Sequence, residues 1–170
     1  NSTIPGIDVT VAVLLVLSVI LSVLIYKQTG LIGEKLSPAL GGIMGIMKNI
    51  IPISTFILAI IIACKKGSSI GKKILQFIVF LIFFASVCSI YLISNDDIVI
   101  NDRKFEEIIS ESYSIGENGR GGGAIGTIVA LPLTKLIGTV AASIFSIGVC
   151  IIMLVFIFEI KISDGISNAV

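Results

Sequence analysis

The sequence predicts an all-α membrane protein: four transmembrane helices, an interfacial amphipathic segment and a short extracellular-loop helix. Three observations predict it. Of 170 residues, 55% are hydrophobic and 14% charged, with a mean hydropathy of +1.11, whereas a soluble domain carries roughly a quarter charged residues. Too little polar surface remains to coat a globule, so lipid must cover much of it. Charges then delimit four apolar runs, each near the ~20 residues that a helix needs to cross the hydrocarbon core. Finally, the segments between the runs are rich in Gly, Pro and charge, as connections at a membrane edge are.

The first run, about residues 9–26, lies between Asp8 and Lys27. It is not a secretory signal peptide, because Asn1–Thr10 is not basic and Tyr26-Lys27-Gln28 is no small-residue cleavage site. The second, Ile50 to Cys64, is short. Started near Gly45, with Lys48 snorkelling to the interface, it becomes a span of about residues 46–64. The third occupies about 74–94, between Lys73 and Asp96, and the fourth about 135–159, between Lys135 and Glu159. No Asp, Glu, Lys or Arg falls inside the apolar runs themselves, which argues against ion-coupled transport but not against a passive pore. Small residues at helical spacing, Ser18/Ser22, Ala85/Ser89 and Gly138/Ala142/Ser146, read as helix packing faces.

In the connection of about 27–45, Ile32, Leu36, Leu40, Ile43 and Met47 recur every three or four residues. This predicts an amphipathic interfacial helix, interrupted by Pro38 and Gly41-Gly42. The turn of 65–73 holds Lys65, Lys66, Lys72 and Lys73 and no acid, so the positive-inside rule places it in the cytoplasm. Both termini are then cytoplasmic and the connections 27–45 and 95–134 outside. Charge density favours that orientation; charge number does not, since the outer connections with their flanks hold seven Lys/Arg (Lys27, Lys35, Lys48, Arg103, Lys104, Arg120 and Lys135).

The long connection 95–134 carries most of the acids. Within it Phe105, Ile108, Ile109 and Ser112 share one helical face, with Asn101 or Asp102 as the cap. Next come Gly119-Arg120-Gly121-Gly122-Gly123 and an uncharged stretch, in which Ile125–Leu133 reads as a re-entrant or interfacial segment kinking into the last span near Pro132.

Little in the sequence points to chemistry. Histidine is absent, so no near-neutral acid/base side chain and no imidazole ligand exist. Cys64, Cys88 and Cys150 sit in apolar runs and read as small packing residues. Gly67-Ser-Ser-Ile-Gly71-Lys72-Lys73 resembles a P-loop only superficially. Its glycines are one residue too close, and Lys stands where Ser or Thr must meet the metal. Gly121-x-Gly123-x-x-Gly126 fits the dinucleotide pattern without the preceding strand that pattern requires. A hinge or close backbone packing is the better reading. No catalytic, cofactor or metal residue is expected. The assembly candidates are Gly41, Gly42, Pro52, Gly121, Gly122, Gly123, Gly126, Pro132 and Gly138.

The stretch Gly119-Arg120-Gly121-Gly122-Gly123-Ala-Ile-Gly126, with Leu131-Pro132-Leu133-Thr-Lys135-Leu136-Ile-Gly138, resembles the entry to the last span in the four-helix membrane domain of FtsK/SpoIIIE-type DNA translocases. Gly30-Leu-Ile-Gly33-Glu-Lys-Leu36, Gly41-Gly42-Ile-Met-Gly45 and Ile51-Pro52 resemble that domain's first outer loop and second-span entry. The resemblance implies a septal membrane anchor in a homo-oligomer, hexameric in that family, with cytoplasmic termini. It implies a cytoplasmic-membrane location, possible division-protein partners and a contribution to a DNA-conducting channel. The ATP- and Mg-dependent motor and the DNA-reading module belong to parts not contained in this chain, which begins with Asn1 and reads as a piece of a longer protein. The competing reading is a self-contained four-span channel or holin-like pore. A membrane-embedded enzyme is the least supported.

Overall fold

The computed structural model describes residues 6–64 and 69–160, and the secondary structure of these residues is helical. The helices are α1 (Gly6–Tyr26), α2 (Gly30–Met44), α3 (Met47–Cys64), α4 (Ile70–Ser94), α5 (Phe105–Glu117) and α6 (Gly123–Phe158). Four of them, α1, α3, α4 and α6, are long and apolar enough to cross a membrane. At 1.5 Å per residue, the 18 residues of α3 reach about 27 Å and the 21 of α1 about 31 Å, close to the hydrocarbon thickness. Their apolar surfaces are what a lipid bilayer covers.

The antiparallel bundle is built as two helix pairs, α1 with α3 and α4 with α6. The Ser18 hydroxyl of α1 donates to the Pro52 carbonyl of α3 (2.8 Å), and the Tyr26 hydroxyl donates to the Asn49 carbonyl. The two pairs meet where Met47 packs against Leu81 and Ala85, flanked by Phe77, Phe80 and Phe84. The short α2 and α5 lie against each other and against α6, at the end of the bundle where α3 begins. Because apolar side chains gain nothing by leaving lipid for one another, close packing and interhelical hydrogen bonds hold such a bundle.

Several expectations need correction. α2 is not interrupted at Pro38 or at Gly41-Gly42; it runs on to Met44 and stops at Gly45, whose positive φ of 60° ends the helix. Packing of Gly41 and Gly42 against α5 supplies what their weak helix propensity lacks. α4 begins at Ile70, so Lys72 and Lys73 form its first turn and are not part of the connecting turn. Lys48 does not snorkel outward. It is buried, with its ammonium 3.4 Å from the Ser37 carbonyl and 3.5 Å from that of Glu117. α5 forms where periodicity predicts a helix, but Lys104 precedes it with no side-chain cap, in place of Asn101 or Asp102. Its buried face is Ile108, Ser112 and Gly116, leaving Phe105 half exposed.

The largest difference lies in α6. The 36-residue helix is broken not at Pro132 but at Gly138, whose φ of 81° and ψ of 165° are non-helical. Two limbs result, and both use the same stretch of α4. In the first limb, the Thr127 hydroxyl donates to Ser89 Oγ (3.1 Å). In the second, the rings of Phe145 and Phe83 lie 6.2 Å apart. A straight helix would separate residues 127 and 145 by about 27 Å, while Ser89 and Phe83 are about 9 Å apart along α4. The first limb therefore folds back against α4 before the second runs the length of the bundle. Gly138 is exposed to open space, so conformation and not crowding calls for glycine there.

Candidate assembly site

The structure gathers six of the predicted glycines at one end of the bundle. Gly41 in α2 and Gly116 in α5 touch backbone to backbone: a Cβ on either would overlap the other's carbonyl oxygen. A Cβ on Gly42 would enter the ring of Tyr113. Gly45 holds the next contact, with the Ile46 N–H donating to the Gly121 carbonyl at 2.9 Å. Gly123 meets Ile43 and the Gly45 nitrogen, where a Cβ would sit 2.6 Å from that nitrogen. Finally, Gly122 and Gly126, one helical turn apart, both press on α4 at Ala85 and Ser89.

The result is a cap in which α2, α5, the segment 119–122 and the first limb of α6 are joined through main-chain contacts. Arg103 pairs with Glu111 and lies 3.8 Å from Glu107, bracing the first turns of α5. Arg120 pairs with Asp97 at 3.4 Å across the loop, an exposed contact of little energetic weight. Lys48 lies between α2 and α5, its ammonium reaching one carbonyl of each.

Other predicted residues lie apart from the cap. Pro52 is buried in α3 facing α1, Pro132 is exposed within the first limb of α6, and a Cβ on Gly138 would meet nothing. Of the predicted face Gly138/Ala142/Ser146, Ala142 and Ser146 are buried. Cys150 is buried, its Sγ 4.0 Å from the Phe80 carbonyl; Cys88 is half-buried and Cys64 exposed. Lys65 and Lys66 fall outside the described residues.

Lys73 departs furthest from the solvated turn expected of it. Its side chain is 5% exposed; its ammonium donates to the carbonyls of Phe156 and Ile157, both at 2.8 Å, and lies 3.0 Å from a Glu159 carboxylate oxygen. It thereby adds a donor to carbonyls in the last turn of α6, of which that of Phe156 also accepts the Glu159 N–H at 3.3 Å, and joins that end to the start of α4.

Sequence reasoning missed Gly45 and Gly116 as packing positions, together with Tyr113, Lys48 and the clamp at Lys73. Gly116 carried a signal: Ser112 and Gly116, four residues apart on the face of α5 that Ile108 begins, form a small-xxx-small pair. The cap can fix the relative placement of the spans and present a closely packed surface at that end of the bundle. Compared with known protein families, curated proteins and solved structures, the chain matches none.

Proposed function

We propose that the chain is the membrane-anchoring and assembly domain of a bacterial DNA translocase acting in chromosome segregation at the division or sporulation septum. In this reading it is noncatalytic by itself, has both termini in the cytoplasm, oligomerises with copies of itself and contributes to a DNA-conducting channel. An ATP- and Mg-driven motor belongs to another part of the parent protein and is what meets DNA.

One observation carries the proposal. Of the glycines on which the resemblance rests, seven (Gly41, Gly42, Gly45, Gly121, Gly122, Gly123 and Gly126) are scattered over 86 positions of the sequence, yet they meet in one cap where side chains would collide; Gly30, Gly33 and Gly138 lie apart from it. The shared pattern thus has a physical reason in this chain. It is the kind of constraint that a chance match of apolar spans would not produce.

Two measurements test the proposal. A fluorescent fusion of the chain is expected to concentrate at division or sporulation septa. The reading frame that contains it is expected to continue into a P-loop ATPase. A frame ending shortly after Val170, or a fusion spread evenly over the membrane, would sink the proposal.

A further inference from the structure

Where α4 nears its end, a cleft opens between it, the start of α3 and the loop that enters α6. Ile46, Val87 and Leu92 form its apolar floor; Tyr91, Arg120 and the main chain of Gly119 and Gly121 form its rim. Its level in the bilayer follows from α4. Tyr91 comes 18 residues after Lys73, about 27 Å of helix, close to the ~30 Å thickness of the hydrocarbon core. With the charged pair of Lys73 and Glu159 at one boundary, Tyr91 stands at the other, where aromatic rings with a polar tip collect. Val87, one turn earlier, then lies in the hydrocarbon. Arg120 and its partner Asp97, which follows the end of α4, lie among the headgroups.

Position and charge identify the occupant. Tyr91 is 67% exposed, so the cleft is continuous with the surface that lipid covers. A lipid beside it lays one chain on the apolar floor and brings its headgroup to the rim. That rim carries both signs, since Arg120 Nη2 lies 3.4 Å from a carboxylate oxygen of Asp97. The buried Lys48 ammonium is turned to the Ser37 and Glu117 carbonyls instead. The Arg120–Asp97 pair is exposed and weak, so either member exchanges its partner at little cost. A lipid phosphate accepts from Arg120 and from the Tyr91 hydroxyl, but a headgroup of net negative charge also faces Asp97, with the Asp96 charge next to it. A quaternary ammonium offers Asp97 no N–H. A phosphate followed by a primary ammonium serves both, the phosphate taking Arg120 and the ammonium donating to Asp97. We infer that this cleft is a phospholipid site selective for phosphatidylethanolamine. The inference requires only that the helices span a bilayer, and it stands whether or not the chain serves a translocase.

The chain contains no tryptophan, so one introduced at the cleft is a clean reporter. Val87→Trp and, separately, Ile46→Trp would be reconstituted in vesicles of phosphatidylethanolamine, phosphatidylglycerol and phosphatidylcholine, one of the three carrying brominated acyl chains. Val23→Trp is the control. It is exposed on α1 within a turn of Tyr26, whose hydroxyl reaches the first turn of α3, and so lies at similar depth. At equal mole fraction, brominated phosphatidylethanolamine is expected to quench the cleft reporters with about three-fold higher apparent affinity than either other lipid, the scale of an exposed charge pair. The control should show no preference. Arg120→Gln should abolish the preference, and Asp97→Asn should turn it toward phosphatidylglycerol. Cleft reporters that escape quenching would show the cleft covered by protein and overturn the inference. Equal quenching by the three lipids, a preference for another of them, or a preference that survives Asp97→Asn would equally overturn it. None of these readouts depends on septal targeting, so failure here is separable from failure of the anchoring role.

Discussion

Replacing Gly122 by Ala isolates the steric demand of the cap. The backbone at Gly122, with φ −95° and ψ 4°, is open to alanine, so no conformational strain enters. The added methyl would instead meet α4. Its carbon would lie 2.6 Å from both the Ala85 carbonyl carbon and Ser89 Oγ, against an ordinary contact of 3.4 Å or more. The Ala85 carbonyl oxygen is nearer still and would be overlapped outright, so relief requires the first limb of α6 to retreat from α4 by more than the ~0.8 Å that those two contacts alone demand. The same retreat would stretch the buried Thr127–Ser89 hydrogen bond from 3.1 Å toward rupture. Overpacking of this kind costs about 1–3 kcal/mol, and an interhelical hydrogen bond in a membrane bundle adds ~0.6 kcal/mol. A loss of about 2–3 kcal/mol is expected, read from SDS titration in mixed micelles followed by near-ultraviolet circular dichroism. Gly148→Ala, in α6 with open space around it, provides the contrast. There the better helix former should be neutral or stabilise by up to ~1 kcal/mol. Should Gly122→Ala unfold at the same SDS fraction as Gly148→Ala, the tight α4–α6 approach described above would be wrong.

Lys73→Met leaves two α6 carbonyls and the Glu159 carboxylate without their ammonium partner; a loss of about 2 kcal/mol is expected in the same titration, with Lys73→Arg falling between. Equal stability of all three proteins would show that the clamp carries no weight. A double-mutant cycle on Ser89→Ala and Thr127→Val should return a coupling near 0.6 kcal/mol, and a value near zero would deny the bond. In a background freed of native cysteines, Ser68→Cys and Ser114→Cys should label from opposite sides of the membrane, with Ser114→Cys accessible outside. Labelling of Ser68→Cys from outside would reverse the proposed orientation.

The span-forming helices were legible because hydropathy is a property of consecutive residues, and lipid imposes it directly on sequence. α5 was legible for a similar reason, since its apolar residues recur at helical spacing. α2 was half legible. Its periodicity showed, but local rules assign breaks to Pro38 and Gly41-Gly42, and only contact with α5 some 70 residues later makes the helix continuous. The break in α6 was misplaced onto Pro132 because proline is the stronger local signal, whereas Gly138 read as part of a packing face with Ala142 and Ser146, and nothing local marked it as a break. Lys73 was invisible for the same reason at greater range: its acceptors lie 83 and 84 positions away, so in sequence it reads as one more lysine in a basic turn. Of the cap, the glycines could be recognised individually; which ones touch could not, because that depends on the path of the chain between them.

That path has a consequence for biogenesis. Gly41 and Gly45 emerge from the ribosome with the first two spans, but their partners, Gly116 and Gly121, lie about 75 residues downstream. At 5–20 residues per second, roughly 4–15 s of synthesis separates them. During that interval α1, α2 and α3 have already been made, with bare main chain at Gly41 and Gly45 and the Lys48 ammonium lacking its acceptor at Glu117. The insertion machinery must hold this half-built intermediate, and substitutions in the cap should first register as degradation of the nascent protein.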